Sequence, residues 1–197
     1  MSFSATAQCT MPIPKSRLGL TWGPLTAPVH ISIFVDPLCP DCMPAWQTID
    51  ALIKKYGDKI CVTAYMLALP FHTWSFTIQR TITALKEIDL EKAKLVFHDL
   101  FTKSQSSLNS ASLAGKSEAQ AVEHIIRHAS TVSGVAYEQI KEKYDLDSVF
   151  FNSRVEFKYA GQMGITGTPN FFINGAKTAI NEKATVENWS SVLDPLF

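Results

Sequence analysis

The sequence predicts an α/β fold: a β-α-β unit, a long helical block, then two short strands and a closing helix. Three observations predict it. Val29–Val35 (VHISIFV) is an unbroken apolar, β-branched run, and a second such run covers Lys59–Leu67. Between them Ala45, Ile49, Leu52, Ile53 and Tyr56 recur at the i, i+4, i+7, i+8, i+11 spacing of one helix face. The residues from about 73 to 163 read as successive helices.

Each element follows from local signals. Residues 1–28 read as an irregular arm, because Pro12, Pro14, Gly19, Gly23, Pro24 and Pro28 forbid a long regular element. Pro37 and Pro40 end the first strand, and Gly57 closes the helix behind it. Two strands joined by a helix should be parallel. A helix is then expected over about Thr73–Lys86 and another over Asp89–Lys103, whose apolar face is Ala93, Phe97, Leu100 and Phe101. The Ser-rich stretch Ser104–Lys116 reads as a loop. Ser117 and Gln120 form a capping-box pattern ahead of the stripe Val122, Ile125, Ile126 and Ala129. A further helix is expected from Ser133 to Tyr144. The last of the group is expected to be capped by Asp147, to carry Phe151, Val155, Tyr159 and Met163 as its stripe, and to end at Gly164. Asn170–Ile173 and Lys177–Ile180 then flank the hairpin signal Asn174-Gly175, and Val186–Leu193 forms the terminal helix. The expected organisation is an arm over 1–28, one α/β unit built from 29–72 and 164–197, and a helical insertion over 73–163.

Composition excludes several functions. The 197 residues carry 18 basic and 18 acidic side chains, so no broad basic face for nucleic acid is expected. At 46% hydrophobic and 18% charged residues, the chain can bury a core of its own. No apolar run approaches the length of a membrane span. Four cysteines are too sparse for a disulfide-stapled scaffold. Residues 1–28 show no basic start followed by an apolar stretch, which, with Met1 as the start, gives a cytoplasmic expectation.

The chemistry-bearing motif is Cys39-Pro40-Asp41-Cys42, placed between an expected strand and an expected helix. A helix N-terminus offers free N–H groups and a positive dipole end, both of which stabilise a thiolate. Pro40 is expected at the first helical position, where its missing N–H costs nothing. Cys39 is expected exposed at the cap and Cys42 tucked one turn in. The competing reading, half of a zinc site, needs four ligands. No second CxxC exists, and His124 and His128 lie some eighty residues away on an expected core-facing helix. A purely structural cysteine pair is the third reading.

APVHISIFVDPLCPDCMPAW (27–46) resembles the first strand and active-site turn of the DsbA-like branch of the thioredoxin superfamily. GITGTPNFFING (164–175) resembles that branch's second signature, a segment holding a cis-proline. The similarity covers roughly residues 27–195. It implies a thioredoxin-like fold with an inserted all-helical domain and thiol–disulfide oxidoreductase activity, with Cys39 as the exchanging sulfur and Cys42 as the resolving one. It implies a cis bond between Thr168 and Pro169, facing the CxxC and pairing with a substrate chain in β fashion. It implies protein or peptide thiols and disulfides as partners, with glutathione a further candidate, and no metal ion or organic cofactor.

This sequence departs from the family pattern twice. The position six residues before the first active cysteine, where the family carries a buried acid, is Ile33. Asp36 has the opposite strand parity and reads as a turn residue. Asp41 stands where strong oxidants carry His, so its charge is expected to oppose the thiolate. His72, in Pro70-Phe71-His72, could tune Cys39 or merely start the next helix. Trp46 and Trp74 read as core or groove lining, Cys61 as an inert buried thiol, Cys9 as a free thiol in the arm, and His98, His124 and His128 as core-edge or solvated. Two other functions fit the same architecture. Kappa-type glutathione transferases and related isomerases bind glutathione in a groove between the subdomains, although they usually carry Ser in place of the CxxC. A non-catalytic peptide-binding module would use the cis-proline loop alone.

Overall fold

Strand β2 (Val29–Val35) forms the centre of the molecule, in a computed structural model that describes residues 12–14 and 16–197. Its odd-numbered residues are buried on one face, while Phe34 packs into a smaller cluster on the other with Leu67, Leu69, Ala160, Ile165 and Phe172. Covering both faces lets the strand be apolar almost throughout. β2 pairs in parallel with β3 (Ile60–Met66), and helix α1 (Cys42–Tyr56) makes the crossover. On its other side β2 pairs antiparallel with β4 (Asn170–Ile173).

The arm contributes a strand that its Gly and Pro content concealed. Leu20–Trp22 forms β1, antiparallel to β3. The glycines flanking it are required rather than disruptive: Gly19 and Gly23 have φ of 71° and 82°. A Cβ on Gly19 would stand 2.6 Å from the Ala64 carbonyl oxygen, and one on Gly23 2.2 Å from that of Ile60. The sheet order is β1-β3-β2-β4-β5, with β5 at Ala176–Lys177. β5 is shorter than expected and starts one residue earlier. Beyond it the Thr178 N–H still donates to the Phe171 carbonyl at 3.0 Å, and the Thr178 hydroxyl accepts from the Ile180 N–H.

Between β3 and β4 lie α2 (Ser75–Ile88), α3 (Leu90–Asp99), α4 (Glu118–Ser133), α5 (Tyr137–Asp145) and α6 (Asp147–Gln162), with α2 packed against the other four. The capping box of α4 forms as expected, with both Ser117 and Gln120 bonding. α4 runs on to Ser133, where left-handed Gly134 stops it, so α5 starts later than the expected Ser133. Asp147 does not cap α6; Leu146 occupies that position without a side-chain bond. The expected stripe of α6 is also corrected. Phe151 is exposed, and the buried face runs through Val149, Ser153, Val155, Glu156 and Ala160. Glu156 can be buried because Gly19 and Met66 each donate a backbone N–H to its carboxylate, at 2.8 and 2.9 Å. Helix α7 (Val186–Leu193) lies against α1, with Trp189 edge-on to Phe171.

Candidate active site

The site forms where β2 ends. Asp36, the first residue past the strand, is fully buried, and its carboxylate gathers four partners from two chain segments. The N–H groups of Leu38 and Leu69 and the hydroxyl of Ser75 donate to it, and His72 Nδ1 lies 2.8 Å from Oδ1. Asp36 is therefore more than a turn residue: it ties the CxxC turn to the segment joining β3 and α2. Its carbonyl also accepts from the Cys39 N–H at 3.2 Å.

From Cys39 the chain turns tightly into α1. The N–H of Cys42 donates to the Cys39 carbonyl at 3.1 Å, and that of Met43 to the Pro40 carbonyl at 3.3 Å. The helix begins at Cys42 with Asp41 as its N-cap residue, so Pro40 precedes the cap instead of opening the helix. Asp41 makes no side-chain cap bond, and its exposed side chain projects to solvent.

The second segment arrives through sheet register. Phe34 pairs with Asn170, so the residues just before β4 fall beside the C-terminal end of β2. The Thr168–Pro169 bond there is cis. The Cys39 thiol lies 3.4 Å from the Thr168 carbonyl oxygen, to which it donates. The Thr168 hydroxyl is buried, and no nitrogen or oxygen among the described residues bonds to it. Thr168 lowers both cysteines.

The two cysteines are electrostatically unlike. Cys39 is lowered from 9.0 to about 6. The Cys42 thiol bonding to its sulfur is the chief cause, opposed by burial and helped by the Thr168 hydroxyl and the backbone N–H groups of Asp41 and Cys42. Cys42 is pushed well up, first by burial and then by its bond to Cys39 and the negative charge there. The expectation that Cys39 is exposed needs correction. Only 5% of the residue is open to solvent, against none of Cys42, because the 168–169 segment covers it. What Asp41 contributes among the leading influences on Cys39 is its N–H.

The remaining candidates separate clearly. Ile33 is a fully buried core residue on the strand below the site. His72 reaches the site's floor through Asp36. Trp46 is core, 4.7 Å from both Trp22 and Phe97, and Trp74 is partly buried against the same core. Cys61 is buried in β3 and its thiol is raised by burial. Trp46 donates to His98 at 3.5 Å, and His128 pairs with Asp99 at 3.0 Å. Cys9 lies outside the described residues. Among the described residues no group of three or more potential metal ligands occurs.

Sequence reasoning missed one contact. Gln105, in the stretch read as a Ser-rich loop, is buried and donates from Nε2 to the carbonyls of Pro37 (3.1 Å) and Cys39 (2.9 Å). Nothing in the local sequence marks it; the only available signal is a polar amide directly behind an apolar helical stripe.

Residues 15–195 match the family model described as Thioredoxin. The chain belongs to the thioredoxin family. Its architecture is that of the DsbA-like members, with the helices inserted between β3 and β4. A provisionally assigned protein-disulfide isomerase from Pseudomonas syringae superposes with a TM-score of 0.75 at 26% identity, over 89% of this chain and 97% of that one. α-DsbA1 from Wolbachia pipientis gives 0.71 at 17% identity over 94% and 92%. The thiol-disulfide exchange protein α-DsbA2 from the same organism gives 0.68 at 16% over 91% and 87%. The Wolbachia pair share the fold. No curated protein sequence matched the chain. With the family established, the chain is a DsbA-like oxidoreductase of the thiol–disulfide class. Among the described residues no helix is long and apolar enough to cross a membrane.

Proposed function

We propose that Cys39 and Cys42 form the dithiol of a thiol–disulfide exchange site acting on protein or peptide thiols and disulfides, with glutathione as a small-thiol partner. The observation that carries this reading is the asymmetry of the pair: one sulfur is held toward thiolate at about 6, while its neighbour is held as thiol. The Cys39 thiolate attacks a substrate disulfide. An S–S bond forms to one substrate sulfur, and the other leaves as thiolate and takes up a proton. Cys42 then loses its proton and attacks Cys39 Sγ. The substrate sulfur departs, and the protein retains the Cys39–Cys42 disulfide. Two electrons pass to the substrate, and the reverse sequence oxidises a dithiol.

In this reading Thr168 and Pro169 bind the substrate chain beside Cys39. Pro40, Asp41 and His72 modulate the site, Asp41 through its N–H and His72 through Asp36. The α/β unit of 29–72 and 164–197 supplies the chemistry, and the helices of 73–163 flank it.

The test is a trapping experiment. A Cys42→Ser variant incubated with a disulfide-bonded peptide or oxidised glutathione should accumulate a mixed disulfide located at Cys39 by mass spectrometry, because the resolving thiol is gone. Label found at Cys61, or no adduct at all, would remove the assignment.

A further inference from the structure

The turn that presents Cys39 is held on three sides. Asp36 holds it from below through the Leu38 N–H, and Thr168 covers it from the cis-proline side. The third contact comes from the helical insertion, where the Gln105 side-chain amide spans two carbonyls of the turn, those of Pro37 and Cys39. Both carbonyls point inward at residues that are themselves buried. The Cys39 carbonyl also accepts the Cys42 N–H, the bond that closes the turn around the two sulfurs.

Gln105 reaches this position because α3 does not continue as a regular helix. After Asp99 the chain widens into a π turn over Leu100–Ser104, and the N–H of Gln105 bonds to the carbonyl of Leu100, five residues back. Each residue of a regular α-helix rotates the side chain by about 100°, so closing this bond one residue earlier would swing Gln105 off the turn. The π turn is itself pinned. Asp99 accepts from Ser104 at 2.5 Å, and His128 of α4 lies 3.0 Å from the same oxygen. A bonded chain thus runs from α4 through Asp99 and Ser104 to the residue that grips the active-site turn.

We infer that Gln105 is a positioning residue for the exchange chemistry: it acts through the Cys39 carbonyl to hold the turn in the shape that converges hydrogen-bond donors on the Cys39 sulfur. The inference rests on the exchange reading of Cys39 and Cys42. It does not make Gln105 a catalytic residue, since its recorded bonds are to carbonyl oxygens and not to a sulfur. With its donor removed, two buried carbonyls lose a partner and the turn relaxes. The bonds from the Asp41 and Cys42 N–H groups and from the Cys42 thiol, which lower Cys39, then weaken.

The test is Q105M, which keeps the length and nearly the volume of the side chain and removes its amide, and with it the donor to both carbonyls. The pH profile of Cys39 alkylation is read peptide by peptide in wild type and variant. The midpoint should rise by half a unit or more, which is about threefold less thiolate at any pH below both midpoints. A folded Q105M with the wild-type midpoint would overturn the inference, whether or not its melting temperature falls, because a merely structural contact lowers stability and leaves the midpoint in place. If Q105M does not fold, the wild-type protein decides by NMR. The Gln105 side-chain amide protons should exchange slowly and should shift when the Cys39–Cys42 pair is oxidised. Exchange at the rate of a free amide, with no shift on oxidation, would overturn it. Failure of the exchange reading looks different: the Cys42→Ser trap yields no adduct at Cys39 even where the midpoint responds to Q105M.

Discussion

Replacing Cys42 by alanine isolates the largest influence on the Cys39 sulfur. In the folded protein Cys39 is lowered from 9.0 to about 6, and the Cys42 thiol is the leading cause. A hydrogen bond to a charged acceptor is worth about 1.5–3 kcal/mol. At about 1.4 kcal/mol per pKa unit, its loss moves the midpoint by roughly one to two units. The Thr168 hydroxyl and the N–H groups of Asp41 and Cys42 remain, so the value should stop short of 9.0 and settle at about 7–8. The assay is the pH profile of Cys39 alkylation in Cys42→Ala against wild type. The rate at a single pH would mislead. At pH 7 a midpoint of about 7.5 leaves roughly a quarter of the sulfur ionised instead of about nine-tenths. The more basic thiolate also attacks faster, with a Brønsted coefficient of about 0.4–0.5, which offsets essentially all of that loss. Only the midpoint separates the two effects. A Cys42→Ala midpoint still below about 6.5 would refute the reasoning and assign the stabilisation to the backbone donors.

Two further outcomes follow from the structure. Asp41→Asn should lower the Cys39 midpoint by less than about half a unit, because the carboxylate is exposed and screened while the N–H that matters is retained; the same profile measures it, and a fall of more than a unit would show direct coupling to the sulfur. Glu156 is raised by burial above its ordinary 4.5. A carboxyl with a raised folded value holds its proton longer when folded, so stability should decline as pH rises from about 4.5 toward that value. Denaturant titrations across this window should show the slope in wild type and none in Glu156→Gln, which should also be about 1–3 kcal/mol less stable for leaving the Gly19 or Met66 N–H without an acceptor.

The legible parts of the fold were those governed by short-range pattern. β2, α1 and β3 announced themselves through an apolar run, a helical stripe and a second run, and the α4 capping box formed from the residues that suggested it. The two cysteines and the Thr168–Pro169 segment could be named from motif alone. Features requiring a partner distant in sequence stayed hidden. β1 exists because β3 offers an edge, and its flanking glycines, which looked like breakers, fit where any Cβ would strike a carbonyl. Glu156 is buried against donors more than 80 residues away, so counting it as polar misplaced the inner face of α6. Asp36 shows the same limit. Strand parity says where its side chain starts, and only the fold shows that Leu69, His72 and Ser75 converge on it.

The position occupied by Ile33 raises the question of how Cys42 gives up its proton without a buried acid at that strand position. Burial, a bond to Cys39 and the negative charge on Cys39 hold that thiol up, and two of these three depend on Cys39 being a thiolate. In the exchange proposed here, Cys39 Sγ is covalently bonded to the substrate when Cys42 must act, so its charge and its capacity to accept that bond are gone. Burial remains, opposed by the Thr168 hydroxyl, which lowers Cys42, and by a backbone bond at Asp36. Thr168 lowers both cysteines, so it favours charge on whichever sulfur carries it. Cys42 thus becomes more acidic once the mixed disulfide has formed and less acidic once Cys39 is released as thiolate. The order of the two steps follows from the chemistry of the pair itself, and an ionised side chain at position 33 is not needed to impose it.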